Sequence, residues 1–304
     1  MAKKILITGA SGLLGGNLAF AYRHKYEVLG ICHEHKVEMD RVEYVDIDLL
    51  DALALKKVVD EFRPDVVIHC AALSNVEKCE EDKTLACRLN VDLTKNVVKS
   101  LENTKSHLLH ISTDAVYGGI EGNFDENKVA PLNYYGETKL LAERAALDYK
   151  DSVILRTNLF GWNVQKKLSL SEWIIDSLKN GKVINGFVDA VFSSIYTFLM
   201  AGILEEVFNR KLKGVYNLGS SDSMSKYDFA LRIAETFQFD KNLIKKISVD
   251  NFTFIAKRGK DMSMNVKKIE RDLGVDLPTI DDSISGFYND YKNNIQTKLR
   301  MCLR

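Results

Sequence analysis

A doubly wound α/β fold, with a parallel sheet covered by helices on both faces and a smaller C-terminal α/β lobe, is the class this sequence predicts. Three observations predict it. The chain opens on a short apolar run, Lys3 to Thr8, which meets a glycine turn, Gly9 to Gly16, and then a helical stretch, Asn17 to His24. Apolar runs and helical patterns keep alternating to about Phe160, which describes a parallel sheet buried on both sides. Polar residues suited to chemistry gather where those runs end, and in such sheets the carboxyl ends of the strands form the ligand crevice.

Composition sets the outer limits. A chain of 304 residues holds a nucleotide-binding domain, here 1–160, and a substrate lobe, here 161–304, with segments around 189–220 returning to the first domain. Lys+Arg and Asp+Glu balance at 42 each, so no global field attracts nucleic acid or an anionic membrane. The 5 cysteines are odd in number and form no CxxC pair, which points to reduced thiols, a cytoplasmic location and no metal centre. A strand beginning at Lys3 leaves no room for a signal peptide. The apolar run 190–204 contains Ser193, Ser194 and Thr197 and is too short and polar to span a membrane. Burial within the lobe is its expected use, with a homodimer surface as the alternative.

In the glycine turn, Gly9 permits a tight bend, Gly12 lets phosphates approach, and Gly15 lets helix and strand pack closely. With Ser11, Leu13 and Leu14 between them, they offer backbone N–H groups and a helix N-terminus to a pyrophosphate, the Rossmann-type arrangement for a dinucleotide. A purely structural turn is the other reading, disfavoured by its place after an N-terminal strand. The second strand, Glu27 to Cys32, ends without the carboxylate that binds the ribose 2′-hydroxyl of NAD. Cys32 stands there, followed by His33, Glu34, His35 and Lys36. The balance leans to NADP(H) over NAD(H), unless Glu34 turns inward.

Val42 to Val45 reads as the third strand. Asp48, with Leu49 beside it, is placed either to meet an adenine amino group or to cap the next helix. That helix, Leu50 to Phe62, is expected to turn Leu53, Val58, Val59 and Phe62 inward. Pro64 to Ala72 supplies a fourth strand whose end is made of Cys70, Ala71 and Ala72, small enough for a cofactor to come close. In the helical stretch Asp82 to Leu101, Asn90 sits among apolar residues and either bonds a neighbouring backbone or orders a proton-relay water.

The densest chemistry follows. His107 to Ile111 reads as a strand ending in Ser112, Thr113 and Asp114, and a helical pattern starts at Asn133. Tyr135 and Lys139 stand at i and i+4, on one helical face. A cation near a phenol lowers the tyrosine pKa from about 10, as a proton donor working near neutral pH requires. The Thr113 hydroxyl could bond the substrate oxygen. The pair is common by chance, but the glycine turn would bring a dinucleotide into the same crevice.

In the second half, Val153 to Arg156 is a strand, and the chain after it leaves for the crevice, which makes Asn158 and Trp162 candidate substrate contacts. Leu168 to Asn180, a segment ending at Asn209, Ser225 onward, Val266 to Leu273 and Pro278 to Tyr291 read as helices. Val183 to Phe187 and Gly214 to Gly219 read as strands. Lys257, Arg258 and Lys260 form a basic segment that either grips a diphosphate, with Arg258 the bidentate member, or is a solvated charge run. Lys292 to Arg304 reads as a loosely held tail.

These motifs together resemble the extended short-chain dehydrogenase/reductase superfamily. Gly9 to Gly15, Asp48-Leu49, His69 to Ala72, Asn90, Ser112 to Tyr117 and Tyr135 to Lys139 carry the likeness. Within it, Ser112 to Gly119, Phe124-Asp125-Glu126, Pro131 to Glu143 and Leu155-Arg156-Thr157 look most like dTDP-4-dehydrorhamnose reductases. The resemblance implies reduction of a nucleotide-sugar 4-ketone, with Tyr135 as acid, Lys139 on the nicotinamide ribose and Thr113 on the keto oxygen. Asp114 becomes a candidate substrate contact or a turn residue. The related 4,6-dehydratases carry an Asp-Glu pair where this chain has Asp114-Ala115, so the base for elimination is missing. The segment 189–195 departs from the reductase pattern. Two alternatives remain: an epimerase that retains NAD, and an NADP-binding regulatory module like the beta subunit of methionine adenosyltransferase.

Overall fold

The computed structural model describes residues 2–33 and 35–303. Strand β1 (Lys4–Thr8) turns through Gly9 to Gly12 into helix α1 (Leu13–Tyr22). The helix starts earlier than its apolar pattern suggested because the glycines belong to it. A Cβ on Gly15 would collide with the Gly9 carbonyl, and one on Gly16 with the Val164 side chain. Strands β2 (Glu27–Cys32) and β3 (Val42–Asp46) follow, then α2 (Ala52–Phe62). Asp51 caps α2 by accepting from Leu53 N and Ala54 N, so Asp48 is not its cap and instead accepts from Leu50 N at 2.9 Å. Leu53 is 84% exposed, contrary to its expected place, and α2 buries Leu55, Val59 and Phe62. At about 100° per residue Leu53 lies on the opposite side of the helix from Leu55, and the face carrying Leu55, Val59 and Phe62 is the one that packs inward.

Strand β4 (Val66–His69) leads to α3 (Val76–Glu81), a short helix the sequence did not announce. The expected long helix then appears as α4 (Lys83–Cys87), a π-helical turn at Arg88–Asp92, and α5 (Leu93–Ser100). Strand β5 (His107–Thr113) runs toward α6 (Tyr134–Leu147), and β6 (Ser152–Thr157) into β7 (Leu159–Phe160). Beyond lie α7 (Leu170–Lys179), β8 (Ile184–Phe187), β9 (Val191–Phe192), β10 (Ile195–Tyr196) and α8 (Thr197–Asn209). The chain closes with β11 (Gly214–Leu218), β12 (Met224–Ser225), α9 (Lys226–Thr236), β13 (Ile244–Ile247), α10 (Lys267–Leu273), α11 (Ile280–Lys292) and α12 (Ile295–Arg300).

Seven strands pair in the order β11-β6-β5-β4-β1-β2-β3, every neighbour parallel. The chain winds outward from β1 to β3 and then returns to β4 on the other side. The strand order therefore reverses beside β1, and that switch point opens the crevice at the carboxyl ends. Alternation along β1 feeds two cores: Ile5 and Ile7 join one, and Leu6 the other. Strand β11 comes from the C-terminal half and completes the sheet beside β6.

Most of the apolar run 190–204 is buried within this chain, including Phe192, Ile195, Tyr196, Met200 and Leu204. No helix among the described residues is long and apolar enough to cross a membrane. The tail is held rather than loose: Leu299 is fully buried, Arg300 Nη2 donates to Glu172 at 3.0 Å, and Glu38 N donates to Cys302 O at 2.7 Å. Only its partners on distant elements reveal this, since the tail's own sequence is mostly polar.

Candidate active site

A cavity of about 870 Å³ opens along the switch point. One end is built by the β1–α1 turn. Gly9 there has φ +64°, and a Cβ would sit 2.9 Å from the Ala71 backbone, so only glycine fits both the conformation and the contact. Ala71 is held in place in turn, its N–H donating to Thr8 Oγ1 at 3.2 Å, while Thr8 shares a 2.7 Å bond with His69 Nδ1. Burial lowers the His69 pKa to about 3, with Lys139 adding to the shift, so the imidazole is neutral. Ser11, Gly12, Leu13, Leu14 and Gly15 line this end, and Gln165, missed in the sequence, donates to Ser11 O at 2.8 Å.

Cys32, His33, Asp48, Leu49, Cys70 and Ala72 line the same cavity, as expected, together with His35. Glu34 lies outside the described residues. Asn90 does not reach the cavity. The π turn carries it inward, where Oδ1 accepts from Leu73 N at 2.8 Å and Nδ2 donates to Thr138 Oγ1 at 2.9 Å. Its work is to bind the chain after β4 to α6, the backbone-bonding alternative; although it belongs to the motif set that suggested a cofactor site, it is not one of the residues lining the cofactor cavity. Helical pitch alone could not have shown this, because the π turn shifts the register.

At the other end of the cavity stand Thr113, Asp114, Tyr135, Lys139 and Asn158. Lys139 Nζ donates to Ile111 O at 2.8 Å. Burial lowers its pKa to about 8, against the opposing charges of Glu143 and Cys70. Tyr135 departs from expectation. Burial pushes its phenol well above the usual value, the Thr113 hydroxyl pulls the other way, and the Asp114 carboxylate adds to the rise. In the protein alone desolvation outweighs any lowering by a cation, so Tyr135 carries its proton. Thr113 Oγ1 donates to Asp114 Oδ1 at 3.0 Å and accepts from Ala115 N at 3.1 Å. Asp114 also accepts from Asn158 Nδ2 at 2.8 Å, and burial raises its pKa despite both bonds.

A second cavity, about 400 Å³, shares Thr113, Asp114, Tyr135 and Asn158 with the first. Arg258 lines it, with Nη2 donating to Glu77 at 2.6 Å, so the basic segment is partly engaged within the protein. Lys226, Phe187 and Phe254 line it too. The sequence reading passed over all three. Lys226 sits at the start of an ordinary amphipathic helix, and nothing local says that it lines a cavity with Thr113 and Asp114. Trp162, expected in the crevice, is instead fully buried, stacked on Phe287 at 3.9 Å and donating to Phe287 O at 3.2 Å. Its indole is consumed by α11, an element far away in sequence. Asp189 accepts from Ser248 Oγ at 2.6 Å and Val249 N at 2.8 Å, and Ser193 Oγ accepts from Met264 N at 3.2 Å. The polar side chains of this unusual segment thus tie loops together.

A glycine turn at a parallel-sheet switch point, with Thr113, Tyr135 and Lys139 in the same crevice, defines a Rossmann-type short-chain dehydrogenase/reductase. Residues 3–293 match the family described as the RmlD substrate binding domain, and the chain belongs to that family. The fold superimposes on dTDP-4-dehydrorhamnose reductase from Bacillus anthracis, solved in complex with NADP, with a TM-score of 0.84 and 25% identity over 95% of this chain and 100% of that one. It is also similar to a hypothetical dTDP-4-dehydrorhamnose reductase from Sulfolobus tokodaii: TM-score 0.81, 30% identity, 93% of this chain and 98% of that one. Methionine adenosyltransferase 2 subunit beta of Xenopus tropicalis is 29% identical over 88% of this chain and 82% of its own.

Proposed function

We propose that this protein is an NAD(P)H-dependent reductase that converts the 4-keto group of a nucleotide-activated deoxysugar to an alcohol. The observation that carries the reading is the shared wall. Thr113, Asp114, Tyr135 and Asn158 face both a cavity ending at a dinucleotide turn and a second, smaller cavity. A ketone seated at that wall meets cofactor on one side and leaves the rest of its substrate in the other. Gly9, Gly12 and Gly15 would cradle the pyrophosphate, and Lys139 would hold the nicotinamide ribose.

Bound in the first cavity, the dihydronicotinamide supplies the hydride received by the ketone carbon. Tyr135 gives its proton to the ketone oxygen; burial keeps the phenol protonated in the protein alone but also opposes its ionisation, so the proton transfer depends on a cation to stabilise the phenolate. Charge appears on Tyr135 as the proton leaves, and the Lys139 ammonium on the same helical face stabilises it. Thr113 turns its hydroxyl from Asp114 to the ketone oxygen, while Asn158 keeps Asp114 in place. Ala115 offers no second carboxylate for elimination, which supports reduction.

NADP(H) is our preferred cofactor over NAD(H). Support comes from the end of β2, where Cys32, His33 and His35 line the cavity in place of a described carboxylate. The ratio of kcat/KM for the two cofactors tests that preference. The reaction itself is tested by NADPH oxidation against nucleoside-diphosphate 4-keto-6-deoxy sugars. Tyr135→Phe is expected to lower kcat by about 10²–10⁴ with cofactor affinity retained. Turnover equal to wild type would remove Tyr135 from the mechanism. The likeness to a methionine adenosyltransferase beta subunit supplies a second reading, an accessory subunit. A stable partner complex without ketone turnover would favour it.

A further inference from the structure

The second cavity holds a cation that the reaction above does not use. Lys226 opens α9 directly after its cap, Ser225, and lines the wall that also carries Asp114, Asn158 and Arg258. The other charged groups on that wall are engaged. Arg258 is matched by Glu77 at 2.6 Å, and Asp114 takes bonds from Thr113 at 3.0 Å and Asn158 at 2.8 Å. Among the described residues, no carboxylate or carbonyl accepts a hydrogen bond from Lys226 Nζ; its electrostatic neighbours are Asp114, the stronger, and Arg258.

Much of the surrounding wall is apolar, from Phe187, Ala190, Val249, Phe254 and Met262. The Lys226 ammonium is half-buried beside these side chains and has no acceptor among the described residues, so an anionic ligand oxygen supplies the partner it lacks. Arg258 is matched by Glu77, and burial shifts Asp114 and Lys226 alike toward their neutral forms, so Lys226 is the cation on this wall without a bonded acceptor among the described residues and the one an anionic ligand would hold in its charged form. Its location identifies which part of a ligand it meets. Asp114 adjoins Thr113 and belongs to both cavities, so a cation facing Asp114 lies toward the reacting ring.

Resting on the reductase reading, we propose that Lys226 is a specificity-determining residue whose ammonium bonds an anionic oxygen at the sugar end of the nucleotide sugar. That oxygen belongs to a carboxylate on the ring or to the phosphate joined to it. The chemistry is the same, and the source is separable by experiment.

Wild type, Lys226→Met and Lys226→Arg are compared in two ways. NADPH-dependent kinetics use a neutral dTDP-4-keto-6-deoxyhexose and a nucleoside-diphosphate 4-keto uronic acid. Calorimetry uses dTDP-glucose and UDP-glucuronic acid as stable probes. For Lys226→Met, KM and Kd are expected to rise roughly ten- to a hundred-fold, the size of one lost charge-assisted hydrogen bond. Expected kcat stays within about threefold, the mark of uniform binding, and Lys226→Arg keeps most of the affinity. Weakening of both ligand types assigns the phosphate; weakening of the acidic sugars alone assigns the carboxylate. Unchanged KM and Kd with both types overturns the proposal, as does a fall in thermal midpoint with affinities intact. Wild type that binds the probes but reduces no ketone overturns the reductase reading instead, and Lys226 is then judged on Kd alone. Absence of probe binding overturns both.

Discussion

Tyr135 and Lys139 share a helix and a cavity, and burial acts on both by disfavouring charge. For the phenol this means a higher pKa, for the ammonium a pKa lowered to about 8. The two environments suit the same task at neutral pH, with the tyrosine protonated and the lysine charged. Lys139 is the member whose useful form is lost within an accessible range. It is charged below its pKa and neutral above, so the value of about 8 predicts that kcat/KM falls as pH rises through that region. A profile of kcat/KM from pH 6 to 10 measures this. A flat profile to pH 10 would show that the Lys139 charge is not used.

At the scale of elements, the crevice is braced by a buried ion pair between β6 and α6. Arg156 Nη2 and Nε donate to Glu143 at 2.7 and 2.9 Å, with both side chains under 5% exposed. Ser112 Oγ on β5 donates to the same carboxylate at 2.5 Å, and Arg156 Nη1 donates to the Tyr117 hydroxyl at 3.1 Å. Three of the segments that present Thr113, Tyr135 and Asn158 thus meet at one charge centre. Arg156→Met would strand the Glu143 charge in the interior and is expected to cost ~3–5 kcal/mol. Urea unfolding checks this, and a loss below about 1 kcal/mol would mean the pair is relaxed or hydrated. Arg156 illustrates a limit of sequence reading, since its partner Glu143 was visible in the helix pattern but not its direction.

For the whole molecule, the C-terminal segment stitches distant parts together. Buried Leu299 packs in the larger core, Arg300 reaches Glu172, itself 1% exposed, on α7, and the Cys302 carbonyl takes the Glu38 N–H from the loop after β2. That loop includes His35, which lines the first cavity. Deleting residues 295–304 is expected to destabilise the protein by ~2–5 kcal/mol through the lost leucine alone. Thermal or urea denaturation would show it. An unchanged midpoint would mean that the tail adds nothing beyond its own order.

The sequence by itself determined the parallel sheet, the dinucleotide turn and the Thr113, Tyr135 and Lys139 set. Each depends on local spacing: a strand followed at once by glycines, or two side chains one helical turn apart. Tertiary structure alone decided where Trp162, Asn90 and Lys226 work. Trp162 is claimed by α11, Asn90 is redirected by a π turn, and Lys226 reaches the wall carrying Asp114 because α9 is packed against β8, β13 and α7. It also decided the state of Tyr135. A neighbouring lysine argues for a lowered pKa, but desolvation by the assembled walls of the crevice raises it and is the larger effect.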